Sequence, residues 1–131
     1  MKQKSIMAAA VIFVLWSLID FVMHGFILGS AYARTAFLWR PMEEMNAWLI
    51  YLVTAVTVAV FTAIYALFIR ERRMAVALLY GLLFGIALGF PMGYGSYATM
   101  PIPLVIARTW FFGTLVKTAL GGAVLGALVK E

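Results

Sequence analysis

The chain has 131 residues, of which 66% are hydrophobic and only 11% are charged, and its net charge is +5. A soluble domain carries about 25% charged residues, so this composition excludes a water-soluble fold, and the absence of cysteine excludes disulfides, cysteine metal sites and thiol catalysis. The basic residues flank apolar segments, as they do in membrane proteins, so the positive charge does not indicate nucleic-acid binding. We predict one all-α transmembrane domain over residues 1–131, in contact with lipid and without a cofactor.

Four apolar segments are each long enough to cross a bilayer, which takes about 20 residues. A charged loop follows the first, the run Arg70-Glu71-Arg72-Arg73 follows the second, and the Pro- and Gly-rich segment 91–103 is predicted to break the chain after the third. The charged residues of the first loop are Arg34, Arg40, Glu43 and Glu44. The predicted spans are about 5–30, 46–69, 74–92 and 103–129.

The distribution of Lys and Arg predicts how these spans are oriented. Lys2, Lys4, Lys130 and the 70–73 loop fall on one side, which the positive-inside rule assigns to the cytoplasm. Both termini are therefore expected in the cytoplasm, in a multi-pass protein of the cytoplasmic (inner) membrane. We expect the first span to remain in the mature protein and not to be cleaved as a signal peptide, because the apolar stretch of a signal peptide has only about 7–15 residues.

The two halves of the chain resemble each other when Gly25 is placed on Gly85. Identical pairs then include Gly29/Gly89, Pro41/Pro101, Ala47/Ala107, Thr54/Thr114 and Glu71/Glu131. This pattern predicts two helical hairpins, about 11–71 and 72–131, that both start in the cytoplasm and are therefore parallel repeats. Coincidence between two apolar sequences is the alternative.

Small residues recur every four positions on the predicted helices, a spacing that lets two helix backbones approach closely. The second span carries Ala55, Ala59 and Ala63 in this way. The predicted helix-packing glycines are Gly25, Gly29, Gly85, Gly89, Gly122 and Gly126. The spacing does not distinguish packing within one chain from packing between chains.

Four ionisable residues fall inside the predicted spans: Asp20 and His24 in the first, Arg108 and Lys117 in the last. A rise of about 1.5 Å per residue places Asp20 and Lys117 at similar depths, and Arg108 closer to the depth of His24. Charges at such depth normally pair or line a polar cavity. Either these residues form a structural ion pair between the first and last helices, Asp20 with Lys117 or Arg108, or they form a site that binds or relays an ion, a proton or an anionic group. Contact with another subunit is the third alternative.

Metal binding is a weaker interpretation of the residues near the outer side. His24 with Met42 and Met45 offers imidazole and thioether groups of the kind that bind Cu(I), and Asp20 with His24 supplies half of a divalent-metal site. The aromatic residues near the outer boundary, among them Tyr32, Trp39 and Trp110, are typical of an interfacial belt. Trp16, nearer the middle of the first span, is predicted to serve packing.

The runs Asp20–Gly29, Leu38–Pro41 and Tyr97–Pro103 resemble those of short, uncharacterised bacterial four-span membrane proteins of about this length. The resemblance extends over nearly the whole chain and implies the same fold, but no activity goes with that group.

The functional expectation is therefore a non-enzymatic membrane protein that acts in a homo-oligomer or as an accessory or structural subunit of a larger membrane complex. A small transporter or channel for an ion, a proton or a small anionic solute is the alternative. Copper handling by the outer Met and His residues is the second alternative.

Overall fold

The structure, a computed structural model, describes residues 2–130, and within that range it is helical with no strands. The helices are α1 (Lys2–Val22), α2 (Gly29–Arg34), α3 (Ala47–Phe68), α4 (Met74–Phe90), α5 (Ser96–Thr99) and α6 (Leu104–Leu128). A π-helical turn, Met23–Ile27, extends α1, and a second one, Pro91–Gly95, joins α4 to α5. Short 3₁₀ turns lie at Ala36–Leu38 and Met42–Glu44.

Four of these helical segments are long and apolar enough to cross a membrane: Lys2–Ile27, Ala47–Phe68, Met74–Thr99 and Leu104–Leu128. Only 17–33% of the residues in their most apolar windows are buried inside the structure. Most of the apolar surface therefore faces outward, which is the arrangement that a lipid environment requires.

The four long helices alternate in direction. One end of the bundle, here called the terminal end, holds Lys2, Lys130 and the loop 69–73, and the opposite, far end holds residues 28–46 and 96–103.

The first and last turns of α3 are capped by side chains. Asn46 accepts a hydrogen bond from the Leu49 N–H, and the Arg72 guanidinium donates to the carbonyls of Ala66 and Ile69, where a cation also favours the helix dipole.

The third long helix does not end near Met92, where proline and glycine residues predict a break. It continues through Pro91, with helical φ and ψ of −61° and −41°, to Thr99. Proline lacks the N–H of a regular turn, and the wider π-helical turn Pro91–Gly95 accommodates this loss without ending the helix. The break comes at Met100–Pro103, where the backbone is extended.

Helices α4 and α6 are in very close contact along a row of glycines. Gly81, Gly85 and Gly89 of α4 and Gly93 of the π-helical turn after it are buried at intervals of four residues. A Cβ added at Gly81 would collide with the Thr118 carbonyl oxygen. Glycine is thus required here by backbone contact, as in close helix pairs of membrane proteins.

The α1 helix packs on both α3 and α6 through large side chains. Trp16 contacts Phe61 of α3, with ring centroids 5.2 Å apart, and lies against Gly121 of α6. Tyr80 of α4 donates a hydrogen bond to the Phe61 carbonyl and links α3 to α4. The bundle therefore has a terminal-end core that centres on these aromatic residues.

A second core closes the far end, where α2 and the loop after it lie against the first turns of α6. Leu28 and Ala31 are buried there against Ile102, Ile106 and Ala107. Residues 47–53 of α3 are all exposed, although the Tyr51 ring lies against Phe13 of α1. The polar residues of α1 and α6 meet between the two cores.

Candidate functional site

The central contact of the site is an ion pair between α1 and α6. The Lys117 ammonium lies 2.7 Å from Oδ1 of Asp20. Asp20 is four residues beyond Trp16 of the terminal-end core, and Met23 of the far-end core follows it. The pair therefore lies between the two cores and joins the first predicted hairpin to the second.

Trp16 fixes the position of Lys117. Its indole N–H donates a hydrogen bond to the Lys117 carbonyl oxygen at 2.6 Å, and its ring lies 5.5 Å from the Lys117 ammonium. The ring face attracts the cation. Trp16 therefore holds both the backbone and the charge of Lys117 in place, in addition to the packing that the sequence predicts.

The ion pair is only partly shielded. The side chains of Asp20 and Lys117 are 28% and 15% exposed. Within residues 2–130 the second carboxylate oxygen of Asp20 has no hydrogen-bond partner, and the Lys117 ammonium, which carries three N–H groups, makes one hydrogen bond. The pair can thus bind a further ligand without breaking.

A second polar chain starts one turn further along α1. His24 Nδ1 lies 2.6 Å from the Tyr32 hydroxyl, and the Trp110 indole N–H donates to the same hydroxyl at 2.7 Å. Within residues 2–130 no hydrogen bond joins His24 to the ion pair, so the site consists of two hydrogen-bonded groups, the Asp20–Lys117 pair and the His24–Tyr32–Trp110 chain, about one helical turn apart.

The Tyr32 hydroxyl joins two hydrogen bonds and stays protonated. Burial raises its pKa above the ordinary value of 10.0, against the smaller opposing effect of the Trp110 hydrogen bond, and the Asp20 charge raises it further. Tyr32 is therefore neutral at physiological pH. It accepts from Trp110, and because a hydroxyl has one proton and two lone pairs, it donates to Nδ1 of His24 in one imidazole tautomer and accepts from Nδ1–H in the other.

Aromatic packing supports the chain at the far end. Trp39 packs edge-on against both Tyr32 and Trp110, and its indole N–H donates to Thr35 Oγ1 at 2.9 Å. Thr35 in turn donates to the Ala31 carbonyl. The segment after α1 is thus held over the site by its own hydrogen bonds.

Arg108 is not in contact with the other three ionisable residues. It is separated from Lys117 by about two and a half turns of α6, which places the two side chains on opposite faces of the helix. Arg108 is exposed and instead lines an apolar groove between α1 and α6. Depth along the helix axis brings Arg108 near His24, but rotation about that axis directs it away.

The other predicted residues are spread over the surface. The side chains of Arg34, Arg40, Glu43 and Glu44 are exposed and form no hydrogen bond or ion pair with any residue in the described range. Met42 and Met45 are exposed as well, and in residues 2–130 no group of three or more His, Cys, Asp or Glu side chains comes together.

The predicted helix-packing glycines fall into two groups. Gly85 and Gly89 face α6, and Gly122 and Gly126 face α4, all in close contact. Gly25 has only the Phe21 side chain nearby, and a Cβ at Gly29 would meet nothing within 4 Å. The first hairpin therefore does not use its glycines for contacts within the chain.

The sequence pattern did not assign Tyr32, Trp110 or Trp16 to the polar site. Tyr32 lies eight residues, about two turns, beyond His24, so both face one side of the nearly continuous α1–α2 segment. That spacing is a signal that sequence alone could provide. The Trp110 contact depends on how α6 packs and has no local signature.

The four long apolar helices and the polar contacts between them define a polytopic helical membrane protein. Comparison of the chain with models of protein families, with curated proteins and with solved structures gives no match.

Proposed function

We propose that this chain is a non-enzymatic protein of the cytoplasmic membrane that acts in a homo-oligomer, or as a structural subunit of a larger membrane complex, through the outward face of α3. The observation that carries the proposal is the low burial of α3. Only 17% of its most apolar window is buried, the lowest share of the four long helices.

The exposed face of α3 has the composition of a helix-packing surface. Ala55, Ala59 and Ala63 recur every four residues and are all exposed. In the bilayer, small residues at this spacing favour association because they let backbones approach and gain van der Waals contact. The glycines of α4 and α6 already make such contacts within the chain. The α3 alanines are exposed and pack against no other helix of residues 2–130.

In this proposal the Asp20–Lys117 pair is structural. It holds α1 against α6 and so keeps the α3 face in a fixed orientation relative to the second hairpin. Loss of one partner would leave a charge unpaired at membrane depth, which costs about 2.5–3.5 kcal/mol at the bilayer centre and less for this partly exposed pair.

Cross-linking in native membranes tests the α3 interface directly, because the chain has no cysteine of its own. We expect Ala59→Cys to form disulfide-linked species before any extraction, and Val14→Cys, equally outward on α1, to form none. Ala59→Leu should reduce the cross-linking of a second cysteine at Ala55.

The mass of particles extracted with their native lipid then separates the two forms of the proposal. A homogeneous oligomer of this chain supports the homo-oligomer, and a stoichiometric second polypeptide supports the subunit. A monomer in native lipid, together with no cross-link at Ala59→Cys, would overturn both.

A small transporter for protons or anions is a second candidate, favoured by the spare hydrogen-bonding capacity of Asp20 and Lys117 beside His24. In proteoliposomes a transporter would conduct, and the double variant Asp20→Asn/Lys117→Met, with no charge left unpaired, would remain folded but lose the flux. If the double variant conducts as the parent does, or the parent does not conduct, the pair is structural only.

A further inference from the structure

An apolar groove of about 630 Å³ runs along the seam of α1 and α6. Leu18 and Val22 line it from α1, and Phe112 and Val116 line it from α6. Both pairs are spaced by four residues, so each forms one side of the groove along a helix face. Its volume lies within the range of about 300–1,000 Å³ that is usual for small-molecule sites.

The floor of the groove exists because α6 has a glycine at the contact with α1. A Cβ added at Gly113 would collide with the Met23 sulfur. Met23 is buried in this position, so α1 and α6 approach closely beneath the groove. The groove is therefore part of the helix contact itself and not a gap left by one mobile side chain.

One charged residue, Arg108, stands at the far end of this apolar groove. Its guanidinium makes no hydrogen bond or ion pair with any of residues 2–130, and the adjacent Thr109 hydroxyl, which also lines the groove, has no partner there either. A guanidinium presents five N–H donors. A cationic group with its full donor capacity free therefore faces an apolar channel.

The level of Arg108 in the bundle matches that of lipid headgroups. Arg108 lies about one turn inside the start of α6 at Leu104, at the level of the aromatic cluster of Tyr32, Trp39 and Trp110. Such aromatic residues gather at the membrane interface. From Arg108 to Val116 the groove extends about 12 Å toward the middle of the bilayer. It has a polar end at headgroup level and an apolar end among the acyl chains.

We propose that this groove binds one anionic glycerophospholipid, with an acyl chain between α1 and α6 and the phosphate paired with Arg108. Guanidinium and phosphate match in charge and in bidentate geometry, and the Thr109 hydroxyl adds a donor at the same level. An apolar neighbouring helix would leave the Arg108 charge unpaired, whereas an anionic lipid supplies both the charge and the apolar chain that this groove requires.

Native mass spectrometry of the purified protein in detergent tests the proposal with phosphatidylglycerol and phosphatidylcholine of equal acyl chains. We expect the parent to retain phosphatidylglycerol about tenfold more tightly, because both lipids carry a phosphate but the quaternary ammonium of phosphatidylcholine offsets its negative charge beside Arg108. Arg108→Gln should remove that preference. Arg108→Lys should keep part of it. Arg34→Gln, an exposed arginine of the same end, is the matched control and should bind as the parent does.

A second variant tests the groove separately from the charge. Val22→Trp places a large ring in the groove from a position that is already 48% exposed, and it should weaken the binding of both lipids. Glycerol phosphate without acyl chains should not compete.

Three results would overturn the proposal. One is equal binding by Arg108→Gln and the parent, and another is an equal loss in Arg34→Gln. The third is a photo-cross-linker at Val22 that captures a second polypeptide instead of lipid.

Discussion

At the scale of single residues, the Asp20–Lys117 pair is the contact whose loss should affect stability most. We expect Asp20→Asn or Lys117→Met alone to lower the free energy of unfolding by about 2–3 kcal/mol, because each leaves a partly buried charge without its partner. The double variant should recover most of that loss. Thermal unfolding of the four proteins in lipid-containing micelles measures the coupling.

The matched control for this cycle is the exposed pair of Arg73 and Glu71, whose side chains are 65% and 64% exposed. Glu71→Gln should cost less than about 1 kcal/mol, as exposed pairs usually do. If the Asp20 and Lys117 variants instead show additive losses, the two residues do not act as a structural pair.

Tyr32 gives a prediction that depends on pH. Tyr32→Phe removes the hydroxyl that joins His24 to Trp110 and leaves the Trp110 N–H without a partner, at a cost of about 1–3 kcal/mol. Because burial raises the pKa of Tyr32 in the folded protein, its stabilising effect is fully present below the unfolded pKa of about 10. The effect is lost as pH rises through the folded pKa.

The measurement is therefore the difference in melting temperature between the parent and Tyr32→Phe across a pH series. It should be constant below about pH 10 and should narrow above it. A difference that narrows between pH 6 and pH 8 would show that His24, not Tyr32, controls the hydrogen bonds.

At the scale of helices, the two hairpins offer a comparison at positions that the predicted repeat makes equivalent. Gly85→Ala places a methyl group against the Thr118 side chain and the Leu115 backbone, whereas Gly25→Ala meets only the edge of Phe21. We expect Gly85→Ala to lose about 1–3 kcal/mol through overpacking. Gly25→Ala should be neutral or slightly stabilising, since alanine favours helix more than glycine does.

Gly81→Ala and Gly29→Ala extend the comparison to the positions with the least and the most space for an added methyl group. Gly81 faces a backbone carbonyl, which cannot rotate away, while Gly29 faces open space. The order of melting temperatures should therefore be Gly29→Ala, Gly25→Ala, Gly85→Ala and Gly81→Ala, from highest to lowest. Equal losses at Gly25 and Gly85 would mean that α1 also packs through its glycines, in contact with another chain.

The helices also show which features local sequence can predict. Apolar length alone predicts four long helices, since each of them needs only enough apolar residues to cross a bilayer. It could not predict that the third helix passes through Pro91, where Gly93 of the π-helical turn packs against the Ala107 carbonyl of α6. The same Gly and Pro residues predict a turn when read without that partner helix.

The polar site was predictable only in part, for a similar reason. The rise along a helix brings Asp20 and Lys117 to one level, and the structure pairs them. Residues of a helix are about 100° apart around its axis. Counted in this way, the side chains of Arg108 and Lys117 point to opposite faces of α6. The contact of Tyr32 with Trp110 required the tertiary packing of the segment after α1 over the start of α6.

At the scale of the whole molecule, charge distribution predicts the orientation in the membrane. Lys2, Lys4, Lys130 and the arginines of the 70–73 loop all lie at the terminal end. At the far end, Glu43 and Glu44 accompany Arg34 and Arg40. The excess of Lys and Arg favours retention of the terminal end in the cytoplasm, so α2 and the 36–46 loop should face the opposite side.

Single cysteines test this orientation without background labelling, because the chain has none. A membrane-impermeant maleimide should label Glu43→Cys in intact cells and label Arg70→Cys only after permeabilisation. Both positions are exposed, so a difference in labelling between them does not come from burial in the protein. A third cysteine at Val56, on the lipid-facing part of α3, should resist the reagent in both conditions. Labelling of Arg70→Cys in intact cells would reverse the orientation. It would also place the Arg108 groove in the cytoplasmic leaflet, where anionic lipids attract basic residues.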